Sequence, residues 1–135
     1  MNNLLSKSDE NSTSFQILKK KHKYNSCIHC AYYSAYQLSV YSLDKKFQTS
    51  YQGLCESMGR DKSGGSHEII IKELTNAIKN YEIRDASKYK ECMMNMKVLR
   101  GLADYSDSII TSVNADEAEK LLINVQKILK DKYIC

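Results

Sequence analysis

The stretch from residue 24 to residue 43, YNSCIHCAYYSAYQLSVYSL, restricts the fold of this chain more than any other segment. It contains neither proline nor glycine. Apolar side chains recur along it in two adjacent stripes with the spacing of helix faces. The two stripes consist of Ile28, Ala31, Tyr32, Ala35 and Leu38, and of Tyr33, Tyr36, Val40 and Leu43. A helix that is apolar over most of its circumference is normally enclosed by other helices, so the segment predicts the central helix of a bundle.

The rest of the chain predicts an all-α fold. Its 135 residues suit one domain with its own core, and they include no proline and only five glycines. Helical periodicity predicts a short helix capped near residues 12–14, a third helix over residues 67–80 and a fourth over residues 85–107. Asn114 is predicted to cap a fifth helix, with Glu117 reaching back to it. About five helices with short to medium connections describe an antiparallel helical bundle.

Two segments are predicted to lie outside the bundle. Residues 1–11 are polar and are expected to be disordered. Residues 47–65 hold four of the five glycines, so a flexible loop is expected there. Arg60 lies in this loop near Gly64 and Gly65 and is a candidate phosphate ligand, although the spacing of a phosphate-binding loop is absent.

Charge and cysteine content limit the class of protein only loosely. The formal net charge of +4 permits contact with an acidic partner such as RNA, but many proteins that bind no nucleic acid carry as much. Five cysteines without a secretory signal predict a reducing compartment, and hence a cytoplasmic location. No apolar run approaches the roughly 20 residues that a membrane span needs, so no membrane contact is predicted.

Arg100 lies at the edge of the apolar stripe of the fourth helix. An arginine there must be paired, extended towards solvent, or facing an interface. Asp104 follows one helical turn later, so the two side chains form an ordinary intrahelical salt bridge, or Asp104 holds the guanidinium fork in a cleft that suits phosphate. Tyr105 can donate a proton or stack on a base, although a tyrosine at the end of a helix more often serves packing.

Two histidines and a cysteine pair are further candidates for chemistry. His29 in the central helix and His67 at the start of the third helix can each supply a proton-transfer group if folding brings it near Arg100, although a lone histidine is more often structural. Cys27 and Cys30 form a CxxC pair, but tetrahedral zinc needs two more ligands and the other cysteines form no second pair. Small buried side chains are the better interpretation, and no metal or cofactor is predicted.

Three blocks of the sequence resemble the HEPN family, the higher-eukaryote and prokaryote nucleotide-binding helical domains. The first is Tyr24 followed by AYYSAY at residues 31–36, which is similar to the tyrosine-rich second helix of small prokaryotic members. The second is the SH pair at residues 66–67, which opens the third helix. The third is LRGLADYSD at residues 99–107 with NADEAEKLL at residues 114–122, similar to the R-x-x-A-D-Y block and acidic helix start of one subgroup.

The resemblance implies an antiparallel helical bundle that forms a homodimer, with an R-x4-6-H motif from each subunit in one cleft. Members with an intact motif look like metal-independent ribonucleases, in which the arginine binds a phosphate and the histidine exchanges protons. In this chain the corresponding positions after Arg100 are Tyr105, Ser106 and Asp107, so the histidine of the motif is absent. Small members are often encoded beside a nucleotidyltransferase, as a toxin–antitoxin pair or a related defence module.

The resemblance therefore implies a component of a toxin–antitoxin or defence module that binds RNA and acts as a dimeric, metal-independent endoribonuclease. The alternative is a non-catalytic interaction module that binds a nucleotidyltransferase or another effector protein. The candidate catalytic residues are Arg100, Asp104, Tyr105 and His67, and the candidate RNA- and phosphate-binding residues are Arg100, Lys97 and Arg60.

Overall fold

Five helices form most of the chain that the computed structural model describes, which comprises residues 2–47 and 66–131. Across these two ranges the structure contains no β-strand. The prediction of an all-α bundle is therefore confirmed. The helices are α1 (Asn2–Lys20), α2 (Tyr24–Lys45), α3 (Ser66–Lys79), α4 (Ile83–Tyr105) and α5 (Ser112–Leu129).

Helix α2 is the central element, as its two apolar stripes predict. It packs against each of the other four helices. Small side chains on it, such as Ala31, Ala35 and Ser39, are completely buried and allow the neighbouring helices to approach closely. The hydroxyl of Ser39 donates to the carbonyl of Ala35 at 2.8 Å, so its burial leaves no unsatisfied donor.

The N-terminal segment differs from its prediction, because residues 2–11 belong to a helix although a disordered tail was expected over residues 1–11. Helix α1 begins at Asn2, not at a hydroxyl cap near residues 12–14. Its polar side chains are paired with α2: Ser8 Oγ donates to the carbonyl of Ser34 at 2.7 Å, and Ser34 Oγ donates to the carbonyl of Ser8 at 2.8 Å. These reciprocal bonds satisfy buried polar groups that the sequence pattern assigns to solvent.

Helices α2 and α4 run antiparallel. Near the start of α4, the buried Tyr89 donates its hydroxyl to Ser39 Oγ at 2.7 Å, close to the end of α2. Near the end of α4, Asp104 contacts His29, close to the start of α2. This arrangement fixes the order in which side chains of the two helices face each other.

The start of α5 is a capping box whose residues differ from the predicted ones. Thr111 is the N-cap, and the side-chain oxygen of Asn114 accepts from the Thr111 backbone N–H at 3.0 Å. Asn114 is thus the third residue of the helix. The sequence instead predicted Asn114 as the N-cap and Glu117 as the third helical residue. The box begins three residues earlier because Thr111 supplies the capping hydroxyl.

The predicted loop over residues 47–65 lies, apart from Phe47, outside the described residues. In the described ranges, each helix is too short or too polar to cross a lipid bilayer.

Candidate functional site

A group of aromatic side chains from three helices surrounds Arg100, and we name it the arginine cluster. It consists of Arg100 and Tyr105 from α4, His67 from α3, and Tyr32, Tyr33 and Tyr36 from α2. The three α2 tyrosines meet because residues three and four positions apart share a helix face. The antiparallel α4 then places Arg100 against that face, and the start of α3 places His67 beside it.

The guanidinium of Arg100 lies among three tyrosine rings. Its central carbon is 5.1 Å from the ring centre of Tyr32, 5.8 Å from that of Tyr33 and 5.6 Å from that of Tyr105. These distances are within the range of cation–π attraction. One terminal nitrogen also donates to the hydroxyl of Tyr33 at 3.2 Å.

Arg100 has no acidic partner among the described residues. Within residues 2–47 and 66–131 it forms no ion pair, and its buried Nε–H makes no hydrogen bond. A guanidinium has five N–H donors in a fixed fork that matches the oxygens of a phosphate. Because Nε–H is buried, an incoming anion can use only those N–H groups of the terminal nitrogens that do not donate to Tyr33.

His67 is held beside this arginine as a neutral imidazole. Its Nδ1 lies 2.9 Å from the hydroxyl of Tyr32, and its ring packs on Tyr36 with 4.2 Å between the ring centres. Burial lowers the pKa of His67, and the positive charges of Arg100 and Lys97 lower it further. A neutral imidazole can accept a proton at neutral pH.

Tyr32 remains protonated next to His67. Burial is the main cause that raises the pKa of the Tyr32 phenol, to about 12. Its hydroxyl is consequently a stable hydrogen-bond partner for His67 Nδ1. A fixed partner at one ring nitrogen determines what the other nitrogen can do, which is the usual way in which a histidine is prepared for proton transfer.

Asp104 contacts a histidine, not Arg100. Its Oδ2 lies 2.9 Å from Nδ1 of His29, and the His29 ring lies 4.7 Å from the ring of Tyr33. The predicted salt bridge between Asp104 and Arg100 is absent from the described residues, and the support of the guanidinium in a phosphate-binding cleft stays a prediction. The physical reason is that His29 of α2 reaches the same turn of α4 and supplies a closer hydrogen-bond donor.

A shallow pocket adjoins the pair that His29 and Asp104 form. It has a volume of about 250 Å³, and its other lining residues are Asn25, Ser26 and Cys30. The side chain of His29 is 49% exposed, so solvent or a ligand reaches it.

Tyr105, Lys97 and Arg60 are the remaining predicted site residues. Tyr105 is 78% exposed, so one face of its ring remains accessible although its other contacts include Arg100. Lys97 is paired with Glu68, with 2.8 Å between Nζ and Oε1, and it acts on the site through its charge on His67. Arg60 lies outside the described residues.

The structure adds the three tyrosines of α2 to the predicted site residues and gives His29, a candidate only if near Arg100, a carboxylate partner. A signal for them exists in the sequence: His29, Tyr33 and Tyr36 follow one another at helical spacing, so they share one face of α2. The partner of that face could not be identified without the fold.

The CxxC pair shows no sign of reactive thiols, although Cys30 lines the pocket beside His29. Cys27 is completely buried, and burial raises the pKa of its thiol to about 11, with a smaller contribution from Cys30. Burial also raises the pKa of Cys30. Both thiols are thus poor sources of thiolate, as expected for small packing residues.

No family model, no curated protein and no solved structure matches the chain. Its own geometry and chemistry are therefore the basis for a proposed function.

Proposed function

We propose that the arginine cluster binds RNA and cleaves it without a metal ion, as part of a HEPN-like toxin–antitoxin or defence module. The observation that carries this proposal is the guanidinium of Arg100, which has no acidic partner among the described residues and lies beside the neutral His67. A guanidinium without an acidic partner, next to a proton acceptor, provides charge stabilisation and proton transfer for phosphodiester cleavage.

The proposed reaction uses the 2′-hydroxyl of the RNA as the nucleophile. His67 accepts the 2′-hydroxyl proton at Nε2, in the tautomer whose Nδ1–H donates to the oxygen of Tyr32. Arg100 binds the non-bridging phosphate oxygens and stabilises the negative charge that develops on them. The exposed ring of Tyr105 offers a stacking surface for a base. The products are a 2′,3′-cyclic phosphate and a 5′-hydroxyl end.

The proposal includes a homodimer, for which α4 offers a surface. Apolar side chains along the solvent-facing side of α4 form a stripe that we name the α4 stripe. It consists of Met94, Val98, Leu102 and Tyr105, which are 39%, 62%, 37% and 78% exposed. Such a row is unusual on the outer face of a bundle helix and is typical of an interface. Because Tyr105 belongs to both the stripe and the arginine cluster, a second subunit there would adjoin the site.

Cleavage of RNA tests the nuclease proposal directly. The protein, Arg100→Met and the control Arg84→Met are incubated with total cellular RNA and a tRNA pool in EDTA. Arg84 is exposed in the first turn of the same helix, so its variant removes a charge far from the cluster. Cleavage by the parent and the control but not by Arg100→Met supports the proposal. Intact RNA in all three samples contradicts it.

A second candidate function is a non-catalytic interaction module that binds a nucleotidyltransferase or another effector. The α4 stripe favours it, because the same exposed apolar side chains can receive another protein. Co-expression with a neighbouring nucleotidyltransferase reading frame tests it. Stoichiometric co-purification that Leu102→Glu abolishes, together with intact RNA, supports this second function over the first.

A further inference from the structure

We propose that His29 is the second proton-transfer group of the arginine cluster, that it protonates the departing 5′-oxygen of the RNA, and that Asp104 positions it. This inference rests on the proposed nuclease function and names a residue that the reaction above leaves without a role. It is carried by the placement of His29, its contact with Asp104 and the pocket beside it.

The two histidines and the phosphate-binding arginine meet around Tyr33 of α2. The ring centre of His29 lies 4.7 Å from that of Tyr33, and the ring centre of His67 lies 5.7 Å from it. Arg100 donates to the hydroxyl of the same tyrosine. Both imidazoles therefore lie close to a phosphate that Arg100 holds.

An in-line displacement at phosphorus uses two proton-transfer groups. The attacking and departing oxygens lie on opposite sides of the phosphorus, so one group cannot serve both. A single histidine beside Arg100 would serve only one of the two oxygens, and His29 is the second imidazole that contacts Tyr33.

The contact with Asp104 prepares His29 for this role. With Nδ1–H donating to the Asp104 carboxylate at 2.9 Å, the ring orientation is fixed and Nε2 is the nitrogen that faces away from α4's carboxylate. The pocket of about 250 Å³ beside His29, lined also by Asn25 and Ser26, offers space for the nucleoside that departs.

The proton transfers balance over the whole step. His67 takes the proton of the 2′-hydroxyl as the 2′-oxygen forms its bond to phosphorus. The bond from phosphorus to the 5′-oxygen breaks, its electron pair stays on the 5′-oxygen, and that oxygen takes the Nε2 proton of His29. Exchange with water then returns both histidines to their starting states.

A sulfur substitution at the departing atom distinguishes this role from others. At a linkage that the protein cleaves in total RNA, two single-stranded oligonucleotides are made, one ordinary and one with sulfur in place of the bridging 5′-oxygen. A thiolate departs without protonation, so only the ordinary substrate needs the acid. The parent, His29→Ala, His67→Ala and Asp104→Asn are compared in EDTA, with His22→Ala as a control at an exposed histidine. Circular dichroism checks that each variant is folded.

We expect His29→Ala to cleave the ordinary substrate about 100-fold more slowly or worse, and the sulfur substrate within about threefold of the parent. Asp104→Asn should show a smaller loss with the same recovery, and His67→Ala should be slow on both substrates. An equal loss of His29→Ala on both substrates overturns the inference and leaves the nuclease proposal intact. Failure of the parent to cleave either substrate overturns both.

Discussion

Replacing Arg100 with methionine should leave the stability of the fold almost unchanged while it abolishes RNA binding. We expect the free energy of unfolding to change by less than about 1 kcal/mol in either direction. An arginine kept for structural reasons is normally fully paired, and its removal is strongly destabilising. Arg100 lacks such pairing among the described residues.

The expected magnitude follows from terms of similar size and opposite sign. The three tyrosine rings interact with the single charge of the guanidinium, so the cation–π attraction totals about 1–2 kcal/mol. The hydrogen bond to Tyr33 adds about 1.5–3 kcal/mol because its donor is charged. Against these, the buried Nε–H without a partner costs about 1–3 kcal/mol, and partial desolvation of the charge costs a comparable amount. Methionine has a similar length and keeps the apolar contacts.

Urea unfolding followed by circular dichroism measures this difference, and fluorescence anisotropy with single-stranded RNA measures binding. Leu38→Ala serves as a positive control for the unfolding assay, because Leu38 is completely buried and its truncation should cost about 2–5 kcal/mol. A loss of 3 kcal/mol or more in Arg100→Met would refute the reasoning. Such a loss would mean that the arginine is part of the structural core and not a side chain kept for a ligand.

Three further predictions concern the histidine, a core tyrosine and the α4 stripe. Because the pKa of His67 is lowered in the folded chain, the unfolded chain binds more protons below the usual value of 6.5, so stability falls as the pH decreases through that value. His67→Asn should lose less stability than the parent between about pH 7.5 and 5.5 in urea titrations, and equal losses would contradict this. Tyr89→Phe removes the hydroxyl that donates to Ser39 and should cost about 1 kcal/mol, with RNA affinity unchanged. Leu102→Glu should convert a dimer into a monomer in sedimentation experiments without changing the circular dichroism spectrum, and a persistent dimer would place the interface elsewhere.

Hydrophobic periodicity predicted the helices well where packing alone determines them. The two stripes of α2 identified the central helix because apolar side chains need partners on both sides. The prediction failed at α1, where Ser8 is buried through reciprocal hydrogen bonds with Ser34, 26 positions away in the sequence. Periodicity counts a serine as polar and cannot represent a polar group that is satisfied by a distant partner.

The sequence predicted only part of the site, because local spacing does not contain contacts between distant positions. Arg100, His67 and Tyr105 came from the resemblance and from local spacing, and the fold places all three in one cluster. The contact between His29 and Asp104 joins positions 75 residues apart, so no local pattern contains it. Asp104 was assigned to Arg100 because helical neighbours four positions apart are the only partners that spacing can identify.

The absence of a histidine after Arg100 does not by itself remove proton transfer from this site. When an arginine and a histidine lie on one helix, their sequence spacing fixes the distance between them. When they lie on two antiparallel helices, the alignment of the two helices fixes that distance. In this chain the register of α2 against α4 sets His29 beside Asp104, one turn from Arg100, and the start of α3 adds His67 beside Tyr32. In the proposed reaction, these two imidazoles are the acid and the base. The chemistry of the site therefore depends on keeping α2, α3 and α4 in contact, and a substitution that separates α3 from α2 should remove the base while leaving the acid in place.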